Sequence, residues 1–428
     1  MAEGKVLKLK TGQDWASVIL GLVLILIVVI AGYKVGTPAF GGGSGWRSAE
    51  ALQGIFRTSS LWISVVSTVF IFGLLSAFGV LLSGESLKNF ITGFISICLL
   101  AILAQFISSY AGFKSLGLET VFFSLIIGLL IGNLFRLPGW LRAGVLTELY
   151  VKIGLVLLGA TILFKDIMVA GSFGLIQAVI VVVVVWYFAF WISRKLKIDD
   201  EFSTMLASAV SICGVSAAIA TAGAINGDKK KLSFIISLVL IIAIPMMLFM
   251  PAIAKWIGLS EPITGAWLGG TIDTTGAVVA AGTIAGETGL KYATIVKFSQ
   301  NVLLGVAAFF ISVYWAYRNK GDNPGKKVSL KVIWERFPKF VLGFILASIV
   351  FSFLLKPETA ATAGKIIKSY SSFWFNLAFV SIGLETRFAD LRVKEYKKPF
   401  YSFLIAQTFN IFFTLGVSWI LFRMISGQ

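Results

Sequence analysis

The stretch Leu268-Gly269-Gly270-Thr271-Ile272-Asp273-Thr274-Thr275-Gly276 decides how this chain is read, together with Leu206-Ala207-Ser208-Ala209-Val210-Ser211-Ile212-Cys213-Gly214. The two line up residue by residue, and each runs on into an alanine-rich tail. They lie in the longer segments 263–286 and 203–225, which are rich in Gly, Ala, Ser and Thr and less greasy than their neighbours. Non-helical backbone at membrane depth survives only where protein buries it or where it lines a cavity. Small polar residues set between apolar runs therefore predict re-entrant or broken helices at these two places.

Working outward, eleven apolar runs are long enough to cross a hydrocarbon core of roughly 30 Å. They fall at about 16–33, 61–82, 88–111, 119–135, 150–165, 169–192, 232–255, 297–317, 339–356, 371–386 and 399–423. The fold class expected is an all-α polytopic membrane protein, with about 11 spanning helices and two opposed Gly-rich segments. The composition agrees. Of 428 residues 57% are hydrophobic and 13% charged, whereas a soluble chain averages about 25% charged. An outer-membrane barrel would show alternating segments of about ten residues, and the sequence has none.

Lysine and arginine in short loops set the orientation of such a chain. A cytoplasmic N-terminus, behind Lys5, Lys8 and Lys10, puts the basic loops 318–339 and 387–398 inside. The first run has no small-residue cleavage site after it and reads as an uncleaved helix. Lys229, Lys230 and Lys231 follow 203–225, which itself follows Arg194, Lys195 and Lys197 on the inside. If 203–225 enters and returns, all these charges stay on one face; the same logic lets 263–286 enter from the other. The net charge of +17 then belongs to cytoplasmic loops, and no nucleic-acid partner is expected.

A second match supports this topology. Gly159, Phe164 and Asp166 recur at the same spacing as Gly383, Phe388 and Asp390. In the re-entrant arrangement 119–135 and 339–356, 169–192 and 399–423, and 232–255 and 297–317 also run in opposite directions. The domain reading is an N-terminal addition at 1–87 with two helices and a flexible Gly41–Gly45 loop, then a transporter core at 88–428. Within the core 119–258 is the first repeat and 259–428 the second. Gly128 and Gly132 form a small-xxx-small pair, which reads as close helix packing. Inverted repeats with interrupted midplane segments characterise secondary transporters.

Several chemistries drop out. There are no histidines and only two cysteines, Cys98 and Cys213, each inside an apolar run, so imidazole catalysis, zinc sites and a disulfide framework are excluded. No phosphate-binding loop is present, and no metal site or catalytic constellation is seen, so an enzyme is not expected. An ionisable group inside a span costs roughly 2.5–3.5 kcal/mol on insertion scales and marks a functional position. Asp273 at the second tip is the leading candidate, as a coupler of a cation such as a sodium ion or of a proton, as a counter-ion to Lys297, or as an Asx or helix cap for the Thr275 or Gly276 N–H. Lys297 reads as an anion partner or a snorkelling lysine, with Gln300 and Asn301 as solute-bonding amides. Ser211, Cys213, Gly214 and Ser216 around the first break, Thr274, Thr275 and Gly276 around the second, and Glu385 near a span end complete the set. Lys152 reads as an interface lysine.

The residues Ser211-Ile212-Cys213-Gly214, the segment from Thr271 to Val278-Val279-Ala280-Ala281-Gly282, and Gly383-Leu384 before Thr386 resemble the YeiH-like sulfate exporter family. The likeness covers roughly 88–428 and includes Gly128 to Asn133 and Gly159–Asp166. It implies an inner-membrane carrier distantly akin to bile acid–sodium symporters and cation–proton antiporters, with the first two helices added to an eleven-segment core. Two positions depart from the family. A His-Glu pair is replaced by Asp273-Thr274-Thr275-Gly276, and a Lys followed three residues later by Arg becomes Lys297 with Gln300 and Asn301.

The function expected is a secondary active transporter moving a small anionic solute, such as sulfate, a sulfonate or a carboxylate, across the inner membrane by alternating access. The alternatives are an anion channel, or a sodium- or proton-coupled carrier for a non-sulfur organic solute. The expected partners are the solute and the lipid bilayer, with a homodimer as one open assembly state and the two added helices suited to dimerisation or regulation.

Overall fold

A computed structural model describes residues 2–30, 37–40, 45–84, 87–115, 120–225, 227–318, 334, 337–390 and 396–426. Most of the basic loop 318–339, part of 387–398, residues 41–44 of the Gly-rich loop and the side chains of Lys5, Lys8, Lys10 and Lys229 lie outside the described residues.

The described chain is helical, and its one strand-like feature is an isolated bridge between Trp46 and Tyr110. In order the helices are α1 (Ala2–Ile30), α2 (Ala49–Arg57), α3 (Ser59–Leu82), α4 (Phe90–Ser108), α5 (Ala111–Ser115), α6 (Thr120–Leu134), α7 (Gly139–Arg142), α8 (Thr147–Gly159) and α9 (Phe164–Lys195). There follow α10 (Asp200–Ser208), α11 (Val215–Ile225), α12 (Lys229–Trp256), α13 (Glu261–Thr271), α14 (Thr275–Ala285), α15 (Glu287–Arg318), α16 (Phe340–Ile349), α17 (Pro357–Glu385) and α18 (Lys397–Ser426). Among the described residues each of the eleven apolar runs contains helix, although 150–165 is interrupted between Gly159 and Phe164 and 339–356 ends in a π-helical turn, Val350–Leu354. Seven of these helices are long and apolar enough to cross a bilayer, namely those at Gly12–Ile30, Ser59–Leu82, Phe90–Ser108, Phe164–Lys195, Lys230–Trp256, Glu287–Trp315 and Lys397–Arg423. Helices α6, α8 and α16 are shorter, and α17 begins with a polar half, Pro357-Glu358-Thr359 onward. Large apolar side chains such as Val66, Phe70, Tyr187, Phe249 and Phe412 lie exposed on the long helices. Surface of that kind needs lipid.

The chain forms two compact units, Met1–Asp166 with Lys339–Arg387, and Ile167–Pro338 with Phe388–Gln428. Each draws helices from both 119–258 and 259–428.

In the first unit Phe72 packs against Tyr370, Phe373 and Trp374, and Tyr150 packs against Trp374. Gly128 and Gly132 let α6 touch the backbone of α17: a β-carbon on Gly128 would sit 2.9 Å from Gly383 Cα, and one on Gly132 would sit 2.7 Å from the Leu384 carbonyl oxygen. The sequence reading of this pair as a packing motif holds. The interface reading of Lys152 does not. Lys152 is buried and pairs with Asp14 of α1 at 2.8 Å and Glu148 at 3.0 Å. Asp14 also accepts the Lys339 N–H at 3.0 Å, so one carboxylate joins α1, α8 and the start of α16. A buried lysine persists because its charge is paired.

In the second unit α9, α12, α15 and α18 accompany the two small-residue segments. The core around α10 and α12 is apolar, with Phe202, Met205, Leu206, Ile235, Leu238 and Val239 all buried. Asp199 caps α10 through the Phe202 N–H at 2.9 Å, and Asp228 caps α12 through Lys230 and Lys231 N–H. Capping carboxylates satisfy donors that the first helical turn leaves open.

Both small-residue segments are hairpins. The two ends of the first meet: Lys231 Nζ lies 2.9 Å from Asp199 and 3.1 Å from Glu201, and Glu201 accepts the Asp228 N–H. The two ends of the second meet as well, since a β-carbon on Gly286 would lie 3.4 Å from the Glu261 carboxylate. Both arms of the second also pack on one stretch of α15. A β-carbon on Gly265 would lie 2.7 Å from Tyr292 Cβ on the way in, and one on Gly282 would lie 2.9 Å from Leu290 Cα on the way out. Helix α12 joins the base of one hairpin to the base of the other. Its 28 residues span about 42 Å at 1.5 Å per residue, so the hairpins enter from opposite ends.

Candidate functional site

Hairpins from opposite ends must meet tip to tip. The first breaks at a π-helical turn, Ala209–Cys213, followed by Gly214 at φ 57° and ψ −111°. That backbone is open to glycine and strained for residues with a β-carbon. The second breaks where Ile272 and Thr274 become extended between α13 and α14. A β-carbon on Gly214 would lie 3.1 Å from Asp273 Cβ and 2.7 Å from Val239 of α12. The two interruptions are therefore in contact.

Breaking a helix frees carbonyls at its C-terminal end and N–H groups at the start of the next. Here the carbonyls are taken, three from each hairpin, by side chains that bridge the two. Asn410 Nδ2 donates to the Val210 and Thr271 oxygens, both at 3.2 Å. Gln300 Nε2 donates to Ser211 at 3.3 Å and Gly270 at 2.9 Å. Lys297 Nζ donates to Ile212 and Ile272, both at 2.8 Å, and its third bond goes to Gln300 Oε1 at 3.0 Å. Gln407 Nε2 adds a second donor to Thr271 at 3.1 Å. Gln177 of α9 takes Ala266 one turn earlier at 2.8 Å.

The N-terminal side of the tips is different. Val215 and Ser216 open α11, Thr274, Thr275 and Gly276 open α14, and all five are partly exposed. Thr274 caps Ala277 N–H through its hydroxyl at 3.3 Å. Thr275 Oγ1 accepts Asn301 Nδ2 at 3.1 Å. The N–H groups of Thr275 and Gly276 have no acceptor inside their own helix.

The structure gathers eleven of the twelve residues singled out in the sequence. The Ser211 hydroxyl turns back to Ala207 O at 2.7 Å, so its carbonyl is the part facing the other hairpin. Cys213 is buried among Ile212, Val182 and Ala217. Lys297 is 1% exposed, in the interior of α15, with all three ammonium protons on protein oxygens. This is neither a snorkelling lysine nor a free anion partner: burial among carbonyls has fixed it as a clamp. Asp273 is 1% exposed, and neither of its carboxylate oxygens has a hydrogen-bond partner. Glu385 belongs to the first unit, where it is exposed and accepts the Thr147 hydroxyl at 2.7 Å.

Sequence reasoning missed Gln407, Asn410 and Gln177. A signal for two of them existed: Gln407, Asn410, Thr414 and Ser418 recur every three to four residues along α18 and are all buried, a polar stripe on an apolar helix. Thr414 bonds Asn410 Oδ1 at 2.8 Å and Ser418 bonds Gln177 Oε1 at 3.2 Å.

Outside the apolar spans, the charged base of the first hairpin is set by its environment. Partial burial pushes the Asp199 carboxyl up, but the Phe202 N–H and the Lys231 ammonium outweigh it and hold the group below the usual carboxylate range. The Lys231 and Lys230 N–H groups likewise hold Asp228 low.

The family model described as Conserved hypothetical protein 698 matches residues 92–402. A UPF0324 membrane protein of Rhodopirellula baltica is 41% identical over 377 residues, covering 86% of this chain and 69% of the relative. One of Nitratidesulfovibrio vulgaris is 39% identical over 369 residues, covering 83% of this chain and 63% of the relative. One of Nitrosomonas europaea is 27% identical over 478 residues, covering 96% of each. The chain thus spans under two thirds of the length of the Nitratidesulfovibrio relative. No solved structure matches.

Proposed function

The chain belongs to the UPF0324, YeiH-like family of membrane proteins, and on that premise we propose that it is a secondary carrier for a small anion. One observation carries the reading: at the paired hairpin tips the carbonyl ends are capped by Lys297, Gln300, Gln407 and Asn410, while the N-terminal turns at Val215–Ser216 and Thr274–Gly276 are partly exposed. A helix N-terminus carries about half a positive charge and open N–H donors, which favour anions. Two such ends meeting at one place, with the opposing carbonyl dipoles quenched, select for negative charge. The solute class is an oxyanion, sulfonate or carboxylate, bound first by main-chain N–H groups and the Ser216 and Thr275 hydroxyls.

Opposed hairpins support alternating access, and the same proposal has the protein in the inner membrane with its N-terminus in the cytoplasm, the orientation that the basic loops favour. Thermal unfolding of the purified protein against sulfate, short sulfonates and short carboxylates tests the binding step, because a bound ligand raises apparent stability by mass action. A saturable rise in Tm with one of these classes, reduced in Thr275→Val, supports the reading. No rise with any of them contradicts it.

A further inference from the structure

At the open side of the second tip, protons outnumber the oxygens that could take them. Asn301 of α15 is 5% exposed, and its Nδ2 donates to Thr275 Oγ1 at 3.1 Å. That bond uses one of the two amide protons and leaves the Thr275 hydroxyl proton free. Turned over, the amide would take the Thr275 proton on Oδ1, which is buried without a partner, and free both protons of Nδ2. Either way two side-chain protons remain, beside the Thr275 and Gly276 N–H groups at the start of α14. Leu303 and Leu304, just beyond Asn301 on the same helix, pack against Ile212, Cys213 and Ala217 of the first hairpin. Asn301 therefore stands between the two hairpins, one turn past Lys297, whose donors are committed, as are those of Gln300. A ligand made of acceptors satisfies such a corner, and a ligand made of donors does not.

The charges decide which acceptor fits. Among the described residues, the two tips and the side chains bonded across them hold one cation, Lys297, and one anion, Asp273. Lys297 bonds the Ile272 oxygen, next in the chain to Asp273, so the two offset each other. Toward the open side there remain two helix N-termini, each about half a positive charge, and neutral donors. Together these balance one negative charge. A second would go uncompensated near buried Asp273, and an uncompensated charge away from water is costly. We propose that the tips bind a singly charged anion, with the Asn301 amide as its side-chain donor. The proposal rests on the carrier reading and narrows its solute to a monovalent sulfonate or carboxylate, with sulfate excluded.

The test follows Tm of the purified full chain with methanesulfonate, methylphosphonate and sulfate at matched ionic strength. The first two share one shape and differ in charge. Methylphosphonate is a monoanion in mild acid and a dianion in mild alkali, whereas methanesulfonate keeps one charge throughout. Methanesulfonate is expected to raise Tm saturably under both conditions. Methylphosphonate should match it in acid and require about tenfold more in alkali, where it should behave as sulfate does. Asn301→Leu should weaken methanesulfonate binding by about tenfold, the loss of one hydrogen bond to a charged partner. Asn301→Gln, which keeps the amide, should recover part of that loss, and Asn301→Asp should abolish every anion response. A dianion bound as tightly as methanesulfonate overturns the proposal and leaves the carrier reading standing; that series needs no variant to fold. Wild-type affinity in folded Asn301→Leu, or a loss there that Asn301→Gln does not recover, overturns the role of the amide. If no anion moves Tm, the carrier reading falls and this inference with it.

Discussion

Gly214 and Asp273, the turning points of two hairpins that start at opposite ends of α12, touch: a β-carbon on the glycine would lie 3.1 Å from the β-carbon of the aspartate. Contact between the two breaks brings a pair of helix interruptions together, with six carbonyls capped from the side and the N-terminal turns at Val215–Ser216 and Thr274–Gly276 partly exposed.

Gly214→Ala is expected to destabilise the protein by about 1–3 kcal/mol, since it combines a backbone position strained for a β-carbon with a close approach to Val239 and Asp273. Thermal unfolding of the variant in detergent measures it. An unchanged Tm would mean that the tips are looser than the structure has them.

Lys297→Met should be worse. It strips the Ile212 and Ile272 carbonyls of a shared donor inside a buried site, and an orphaned buried acceptor costs about 1–3 kcal/mol. Lys297→Arg restores charge but not the compact three-way geometry, so it should recover little. Recovery by arginine to wild-type stability would argue for charge alone.

Acidification should loosen the base of the first hairpin. Asp199 and Asp228 are held below their ordinary range in the folded protein. Their stabilisation is therefore fully present above the unfolded carboxylate value of about 3.9 and is lost as pH falls through the lower folded values. Lys231→Ala removes part of the effect at neutral pH, about 0.2–1 kcal/mol for each partly exposed pair. Hydrogen exchange at the start of α12, followed between pH 7 and 3, should show protection lost at the acid end. Equal protection across that range would contradict the assignment.

The sequence showed more of the fold than of its chemistry. The breaks at Gly214 and Asp273 were legible because small residues interrupt apolar runs at matching positions, and the Gly128–Gly132 contact because its spacing has a packing meaning. Lys152 was misread because its partner Asp14 lies 138 positions away; ion pairs across helices leave no local pattern. Lys297 was recognised but not its work, since a clamp on main-chain oxygens depends on carbonyls that the sequence does not display. Gln407 and Asn410 were overlooked in a run that reads as a plain span.

Asp14→Leu should destabilise the first unit by about 1–3 kcal/mol, less than the roughly 3–5 kcal/mol of a fully orphaned buried charge because Glu148 still reaches Lys152. The double change Asp14→Leu with Lys152→Met should recover much of that loss. A double variant as unstable as the single one would show that packing, not charge, ties α1 to α8.

Solute counterflow in proteoliposomes bears most directly on the central claim, that facing hairpin tips make this protein an anion carrier. Vesicles loaded with the anion that raises Tm should transiently accumulate the same labelled anion from outside, with saturable kinetics, and Gly214→Ala should abolish the overshoot. Labelled anion that merely equilibrates, without overshoot or saturation, or an ohmic current in its place, would contradict the account.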